Sequence, residues 1–251
     1  MNNYKLAKMI YIDSEYKNTG ETTSNFSYLV NDPVIDIKGL IVRDVQITNT
    51  LYSFKASNNK FYYRWDTGVA NTEHSITIST AKSYSASDLL TDINALFTAN
   101  GHAITATFTA STGKLTLTSA TLFRPETSTE QTLSTANVKL GYTATSYSGA
   151  TSHIASDILR VYPFFNIFVI SNLGKQISEH MSENLNRVLC KVIVNENFGQ
   201  ILQFNGDISL DFIEYQNPIY IDRIDIQLKD DDGELINLNG GEFTMTIHCY
   251  S

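Results

Sequence analysis

The segment Asp230-Asp231-Asp232-Gly233-Glu234 is the densest cluster of possible metal ligands in the sequence. Carboxylates in a tight loop suit a hard cation such as calcium. The segment lacks the alternating ligand spacing and the distal glutamate of an EF-hand loop. An Asp-Gly pair between two apolar runs is also a strong signal for a hairpin. The pattern therefore indicates a solvated turn, with a calcium site as the alternative interpretation.

The histidines and cysteines are scattered along the chain, at His74, His102, His153, His180, His248, Cys190 and Cys249. No two histidines have a metal-ligand spacing, and no Cys-x-x-Cys pair occurs. His248 and Cys249 are neighbours in a predicted strand and would point to opposite faces. We therefore predict no metal and no cofactor. The two cysteines fit buried thiols in a reduced compartment, with a disulfide as the alternative.

Motifs for nucleophilic or phosphate chemistry are absent from the sequence. There is no Gly-x-Ser-x-Gly elbow and no Gly-x4-Gly-Lys-Ser/Thr loop. Thr112-Gly113-Lys114 lies between two predicted strands, where it indicates a turn. The aromatic run at 61–65 fits core packing better than the stacking of sugar or base rings. We predict no catalytic residue, and hence a protein that is not an enzyme.

Composition narrows the choice of partners and compartment. The formal net charge of −8 argues against direct binding of a nucleic-acid backbone. No apolar segment follows the first residues as in a signal peptide. The longest apolar stretch, at 162–170, is too short to span a bilayer. We expect synthesis in the cytoplasm, no secretion and no membrane span.

Strand patterns dominate the sequence. Alternating or β-branched runs lie at 7–12, 25–30, 40–47, 61–65, 164–170, 188–194, 208–213, 219–228 and 243–250. Roughly eight strands outside the middle of the chain are enough for a two-sheet sandwich that closes its own core. Residues 175–187 are predicted to form a loop or a short helix.

One helix is predicted, within a stretch rich in Ser and Thr. Ser85-Ala86-Ser87-Asp88 fits a capping box, and Asn100-Gly101 is a good helix end. Leu89, Ile93, Leu96 and Phe97 form one apolar stripe between them.

The helix follows a strand and precedes two alternating runs joined by a turn at 111–114, which gives a β-helix-β-β unit. We interpret residues 74–151 as a small α+β domain. This domain would interrupt a larger one made of residues 1–73 and 152–251.

Several segments, taken in order, resemble minor capsid and penton proteins of large DNA viruses, virophages and polinton-type elements. The N-terminal segments are Ile10-Tyr11-Ile12-Asp13-Ser14, Ser24-Asn25-Phe26-Ser27-Tyr28-Leu29, Thr48-Asn49-Thr50-Leu51-Tyr52-Ser53-Phe54 and Asn58-Asn59-Lys60-Phe61. Within the inserted domain, the helix beginning after Tyr84 and the closing Leu140-Gly141-Tyr142 are similar to a module of the same proteins. At the C-terminus, residues 221–236 resemble their terminal hairpin.

The resemblance implies a single jelly-roll β-sandwich whose copies form homopentamers at the vertices of an icosahedral capsid. It implies a location in the virion and contacts with major capsid protein neighbours. The inserted domain would sit at one end, facing solvent or a host receptor. Two other functions stay open: a spike or adhesin that binds a glycan or receptor, and an internal minor capsid or cement protein.

Overall fold

A computed structural model describes residues 4–66, 71–127, 130, 135–175 and 185–251. The chain divides into two compact units. We call Met1–Leu51 together with Phe164–Ser251 the sandwich unit, and Tyr52–Pro163 the inserted unit. The loop or short helix predicted at 175–187 lies mostly outside the described residues.

Most elements of the described residues are strands. In chain order the elements are β1 (Leu6–Asp13), β2 (Asn25–Thr48), β3 (Lys60–Asp66), β4 (Asn71–Thr77), α1 (Ala86–Ala99), β5 (Ile104–Thr109), β6 (Lys114–Pro125), α2 (Ala136–Lys139), β7 (Ala150–Ile154), β8 (Asn166–Lys175), β9 (Val188–Ile193), β10 (Ile201–Asn205), β11 (Ile213–Lys229) and β12 (Phe243–Tyr250). A turn of 3-10 helix at Ser14–Tyr16 follows β1.

Strand β2 connects the two sheets of the sandwich unit because it takes part in both. Its first half pairs with β11, and Asn25 lies opposite Gln227. Its second half pairs with β12 on one edge and with β10 on the other. Between the halves, Asp36 has a φ of 56°, a left-handed conformation that bends the strand.

The strand orders are β1-β12-β2-β10 in one sheet and β2-β11-β8-β9 in the other, and every pair is antiparallel. Two four-stranded antiparallel sheets connected in this order form a jelly roll. The predicted single jelly-roll sandwich in a mainly β chain is therefore confirmed.

The two sheets enclose one apolar core. In β12 the side chains of Phe243, Met245, Ile247 and Cys249 are buried, and those between them are half-buried. Phe26 of the facing sheet meets Phe243 edge to face, with ring centroids 6.0 Å apart. Each fully buried side chain of this size stabilises the fold by about 1.5–3 kcal/mol. The alternate residues of β12 that point inward therefore pack the two sheets face to face.

The inserted unit has a hydrophobic core of its own. Its sheet has the order β4-β3-β6-β5, and β7 also pairs with β6. Helix α1 buries Leu89, Ile93 and Phe97, and the Phe97 ring lies edge-on to Tyr63 at a centroid distance of 5.3 Å. The Ser85 hydroxyl accepts the Asp88 N–H at the start of α1, as the capping pattern predicts.

The limits of the inserted unit differ from the predicted domain boundaries at 73/74 and 151/152. The unit begins at Tyr52 and ends at Pro163. Strand β3, which the sequence analysis placed in the larger domain, pairs with β4 and β6 of the inserted sheet. Its aromatic residues Phe61 and Tyr63 are fully buried in the second core. Tertiary pairing, which a linear pattern does not reveal, decides this boundary.

The strand predicted at 208–213 is wrong over most of its length. Residues 206–212 form a loop, in which the Asp207 carboxylate accepts the Ser209 N–H at 2.7 Å and the Asp211 carboxylate accepts the Asp207 N–H at 2.8 Å. Such side-chain bonds to the backbone compete with a strand ladder. The strand instead occupies Ile201–Asn205, opposite residues 44–48 of β2.

Candidate subunit interface

The acidic cluster at 230–234 is a turn in which two carboxylates bind the chain's own amides. The Asp230 carboxylate is buried and accepts the N–H groups of Asp232 and Glu234 at 3.1 and 2.9 Å. The Asp231 carboxylate accepts the Phe165 N–H at 2.9 Å and so fixes the start of β8. These contacts support the turn interpretation. Among the described residues no three metal-ligating side chains come together.

The histidines occupy different environments. His153 is buried and bonds the Phe123 carbonyl at 2.7 Å, and burial lowers its pKa. His248 lies half-buried on β12, and His180 lies outside the described residues. His74 and His102, although 28 residues apart in the sequence, have ring centroids only 4.4 Å apart. Because the two histidines are so far apart in the sequence, no spacing motif predicts that their rings meet.

Cys190 and Cys249 are free thiols, both buried in the sandwich core. Burial raises the pKa of Cys249 to about 11 and also raises the pKa of Cys190. A thiol held in its neutral form is a poor nucleophile. The two cysteines therefore act as small apolar core residues.

One surface of the sandwich unit carries a group of exposed apolar side chains where its two sheets meet at one edge. Strand β1 turns Met9 and Tyr11 outward, with exposures of 60% and 55%, while Ile10 and Ile12 face the core. Across a depression of about 380 Å³, Leu29 of β2 and Tyr16 are 62% and 76% exposed. We call Met9, Tyr11, Tyr16 and Leu29 the first edge patch.

Strands β1 and β2 are joined across this edge by an ion pair. The Lys8 ammonium lies 3.0 Å from the Asp32 carboxylate, which is almost fully exposed. Beside the patch, the Asp225 carboxylate accepts the Ser27 hydroxyl at 2.8 Å and the Arg223 guanidinium at 2.6 Å. The first edge patch therefore has an apolar centre and a polar rim, which is the composition of a protein–protein interface.

A second exposed apolar surface lies on the opposite edge of the sandwich unit. Strands β9 and β10 are the last strands of their sheets and contact each other. They expose Ile193 and Ile201, and the loop between them exposes Phe198. The Asn49 side chain holds this loop by donating to the Glu196 carbonyl at 2.7 Å. We call Ile193, Phe198 and Ile201 the second edge patch.

The two patches lie on opposite edges of the jelly roll. The first edge patch is on β1 and β2, which come first in the two strand orders, and the second is on β10 and β9, which come last. The sequence analysis named no interface residue. The alternation at residues 9–12, with Ile10 and Ile12 facing inward, was the available signal for Met9 and Tyr11. The alternation at 25–30 likewise places Leu29 opposite Phe26 and Val30, whereas Ile193 lies in a mostly apolar run without such a signal. Only the strand order shows that these strands are edges.

Comparison with solved structures finds 16 chains of similar fold. No family model matches the sequence, and no curated protein matches it. The fold is similar to the crystal structure of the selenomethionine-labelled penton protein of mavirus, with a TM-score of 0.52 and 12% identity over 96% of this chain and 99% of that one. The resemblance to penton proteins predicted from the sequence is thus confirmed at the level of the fold. Among the described residues no helix is long and apolar enough to cross a membrane.

Proposed function

We propose that this chain is a structural capsid protein without enzymatic activity, and that five copies form the vertex of an icosahedral particle of a double-stranded DNA virus or virophage. The observation that carries the proposal is the pair of unlike apolar patches on opposite edges of one jelly roll. The likeness of the fold to a penton protein supports the same function.

A closed ring needs two different surfaces on each subunit, one that meets the preceding copy and one that meets the next. The first edge patch combines two tyrosines with Met9 and Leu29, and the second combines Phe198 with two isoleucines. Aromatic residues and methionine are enriched at protein interfaces, whereas large exposed apolar patches are uncommon on monomers. In the proposed ring, the first patch of one copy covers the second patch of its neighbour.

The proposed partners follow from the same function. They are other copies of the chain, major capsid protein neighbours around the vertex and a host receptor for the inserted unit. The proposed location is the virion.

The first experiment measures the mass of the purified protein in solution by light scattering after size exclusion. The expected mass is about 140 kDa, five times the 28.1 kDa of one chain. A mass of one chain at every concentration tested would favour the spike or cement function instead.

Two single variants test the head-to-tail arrangement directly. Leu29→Glu on the first edge patch and Ile193→Glu on the second should each abolish the ring, because a buried unpaired carboxylate is costly. The matched control is Leu235→Glu, an exposed leucine outside both patches, which should leave the ring intact.

Mixing the two defective variants distinguishes a ring from a symmetric dimer. Each variant keeps one functional patch, so the mixture should form a one-to-one pair of about 56 kDa and nothing larger. If the interface instead joined like patches across a two-fold axis, the variant altered in the other patch would still pair with itself, and the head-to-tail ring would be ruled out.

A further inference from the structure

The inserted unit holds a cluster of aromatic and imidazole rings at the edge of its core. The His102 ring stacks on the Trp65 ring, with centroids 4.5 Å apart and planes inclined by 20°. It also lies edge-on to His74 at 4.4 Å. His74 and Trp65 project from neighbouring strands, and His102 comes from the loop that follows α1. All three are half-buried, so water and protons reach the cluster.

The hydrogen bonds of the cluster connect His102 to Tyr63 and Asn100. The Asn100 side-chain amide donates to the Tyr63 hydroxyl oxygen at 3.3 Å, and the Tyr63 oxygen lies 2.6 Å from His102 Nδ1. When neutral His102 carries its proton on Nε2, Nδ1 accepts the Tyr63 hydroxyl proton. A protonated His102 carries a proton on both ring nitrogens, so Nδ1 can no longer accept from Tyr63.

Among the described residues, the titratable groups in contact with His102 are Tyr63 on β3 and His74 on β4, and no carboxylate contacts it. Arg64 and Glu73 lie opposite each other on β3 and β4, at positions whose side chains alternate to the other face of the sheet. Helix α1 carries its acidic residues, Asp88 and Asp92, in its first two turns, and β5 has no ionisable residue.

We propose that the Tyr63–His102–His74 cluster is a proton-triggered catch that holds the loop after α1 against the inserted sheet and releases it at mildly acidic pH. Protonation of His102 removes the acceptor for Tyr63 and places positive charge against His74. The loop that carries His102 then separates from Trp65. The inference goes beyond the vertex function and does not depend on it.

The direction of the pH dependence follows from the folded state. Burial, and then the charge of His74, lower the pKa of His102 below its ordinary value of 6.5. The unfolded chain therefore binds more protons than the folded unit as the pH falls below 6.5. The catch is fully stable above this pH and weakens progressively below it.

The test uses Trp65, which is the one tryptophan of the chain and a local reporter. Between pH 7.5 and pH 5 the full-length protein should show a reversible red shift of tryptophan emission. The shift should be lost in His102→Gln, and it should be smaller in His74→Gln, where the repulsion between the two rings is gone. An unchanged red shift in His102→Gln, or no shift in the natural chain, would overturn the proposal.

Two matched variants exclude other histidines. His153→Gln changes the buried histidine on β7 of the same unit, and His248→Gln changes one in the sandwich unit. Both should keep the acid-induced red shift. If His102→Gln fails to fold at pH 7.5, the comparison of His74→Gln with His153→Gln decides alone. An equal red shift in these two variants would then contradict the catch.

Discussion

At the scale of single residues, one buried side-chain amide holds α2 against β3 of the inserted sheet. Asn137 is 2% exposed, and its side-chain amide bonds the Tyr62 backbone as the peptide group of a neighbouring strand would. Its oxygen accepts the Tyr62 N–H at 3.0 Å, and its nitrogen donates to the carbonyls of Tyr62 and Glu126 at 2.9 and 3.0 Å. The hydrogen-bonding capacity of this buried polar group is thus used almost completely.

Replacing Asn137 with Leu should lower the free energy of unfolding of the inserted unit by about 3 kcal/mol or more, because each buried backbone group left without a partner costs about 1–3 kcal/mol. Chemical denaturation followed by circular dichroism measures the change. Val138→Ala, at the exposed position next to it, should cost less than about 0.5 kcal/mol. Equal losses in the two variants would show that the Asn137 bonds contribute little.

Asn137 also marks a limit of sequence reasoning at this scale. A lone asparagine in a polar stretch has no pattern that distinguishes a buried bridge from a solvated turn. The Ser85 cap of α1 was predictable, because its partner Asp88 lies three residues away in the chain. The Tyr62 partner of Asn137 lies 75 residues away, so only the folded structure reveals it.

At the scale of elements, Gly141 determines how the chain leaves α2. It has a φ of 84°, and a β-carbon added there would overlap the Asp157 carbonyl. The backbone of Gly141 accepts the Asp157 N–H at 2.9 Å, so the two segments cannot separate without losing a hydrogen bond. This close approach explains the glycine of the Leu140-Gly141-Tyr142 segment.

Gly141→Ala should therefore destabilise the inserted unit by about 2 kcal/mol or more, since it combines an unfavourable φ with a steric overlap. Gly149→Ala is the matched control, because Gly149 has no atom within 4 Å of the added carbon and no positive φ. Thermal unfolding of both variants gives the comparison. A melting temperature of Gly141→Ala at or above that of the control would contradict the steric argument.

The sheet elements show what periodicity predicts and what it misses. The strands β9 and β12 were predicted within one residue of their observed bounds, because their buried residues are mostly β-branched, aromatic or otherwise apolar. Strands β8 and β11 were also predicted, but β8 continues to Lys175 and β11 begins at Ile213, beyond the predicted runs. The run at 208–213 has the same composition, but its loop is set by the hydrogen bonds of Asp207. Likewise, the sequence does not show that β2 is one bent strand shared by two sheets.

At the scale of the whole molecule, one lysine fastens the two ends of the inserted unit together. The Lys139 ammonium donates to the Ser53 carbonyl at 2.7 Å and to the Tyr162 carbonyl at 3.0 Å. Burial lowers the pKa of Lys139 to about 8, so the ammonium still carries its charge at pH 7. The chain thus enters and leaves the unit at nearly the same point.

We expect each unit to fold without the other. A fragment of residues 52–163 should unfold cooperatively, because it has its own core and its ends are held close. A chain in which a short Gly-Ser linker replaces these residues should keep the jelly roll and, under the proposed function, still form a ring of five copies. An unfolded fragment, measured by circular dichroism, would show that the inserted unit needs the sandwich.

The position of β12 has a consequence for the timing of synthesis. This strand lies between β1 and β2, and the Lys5 N–H donates to the Ser251 carbonyl. One sheet of the sandwich therefore cannot close until β12 has left the ribosome. The inserted unit is continuous in sequence and can fold earlier.

We expect protease resistance to appear first in residues 52–163 of stalled nascent chains, and in the sandwich only in chains long enough to expose β12 outside the ribosome. Because its contacts join the two ends of the chain, the sandwich should also refold slowly. A nascent chain without β12 leaves β1 unpaired. Under the proposed function, such a chain has no complete first edge patch to offer to another copy.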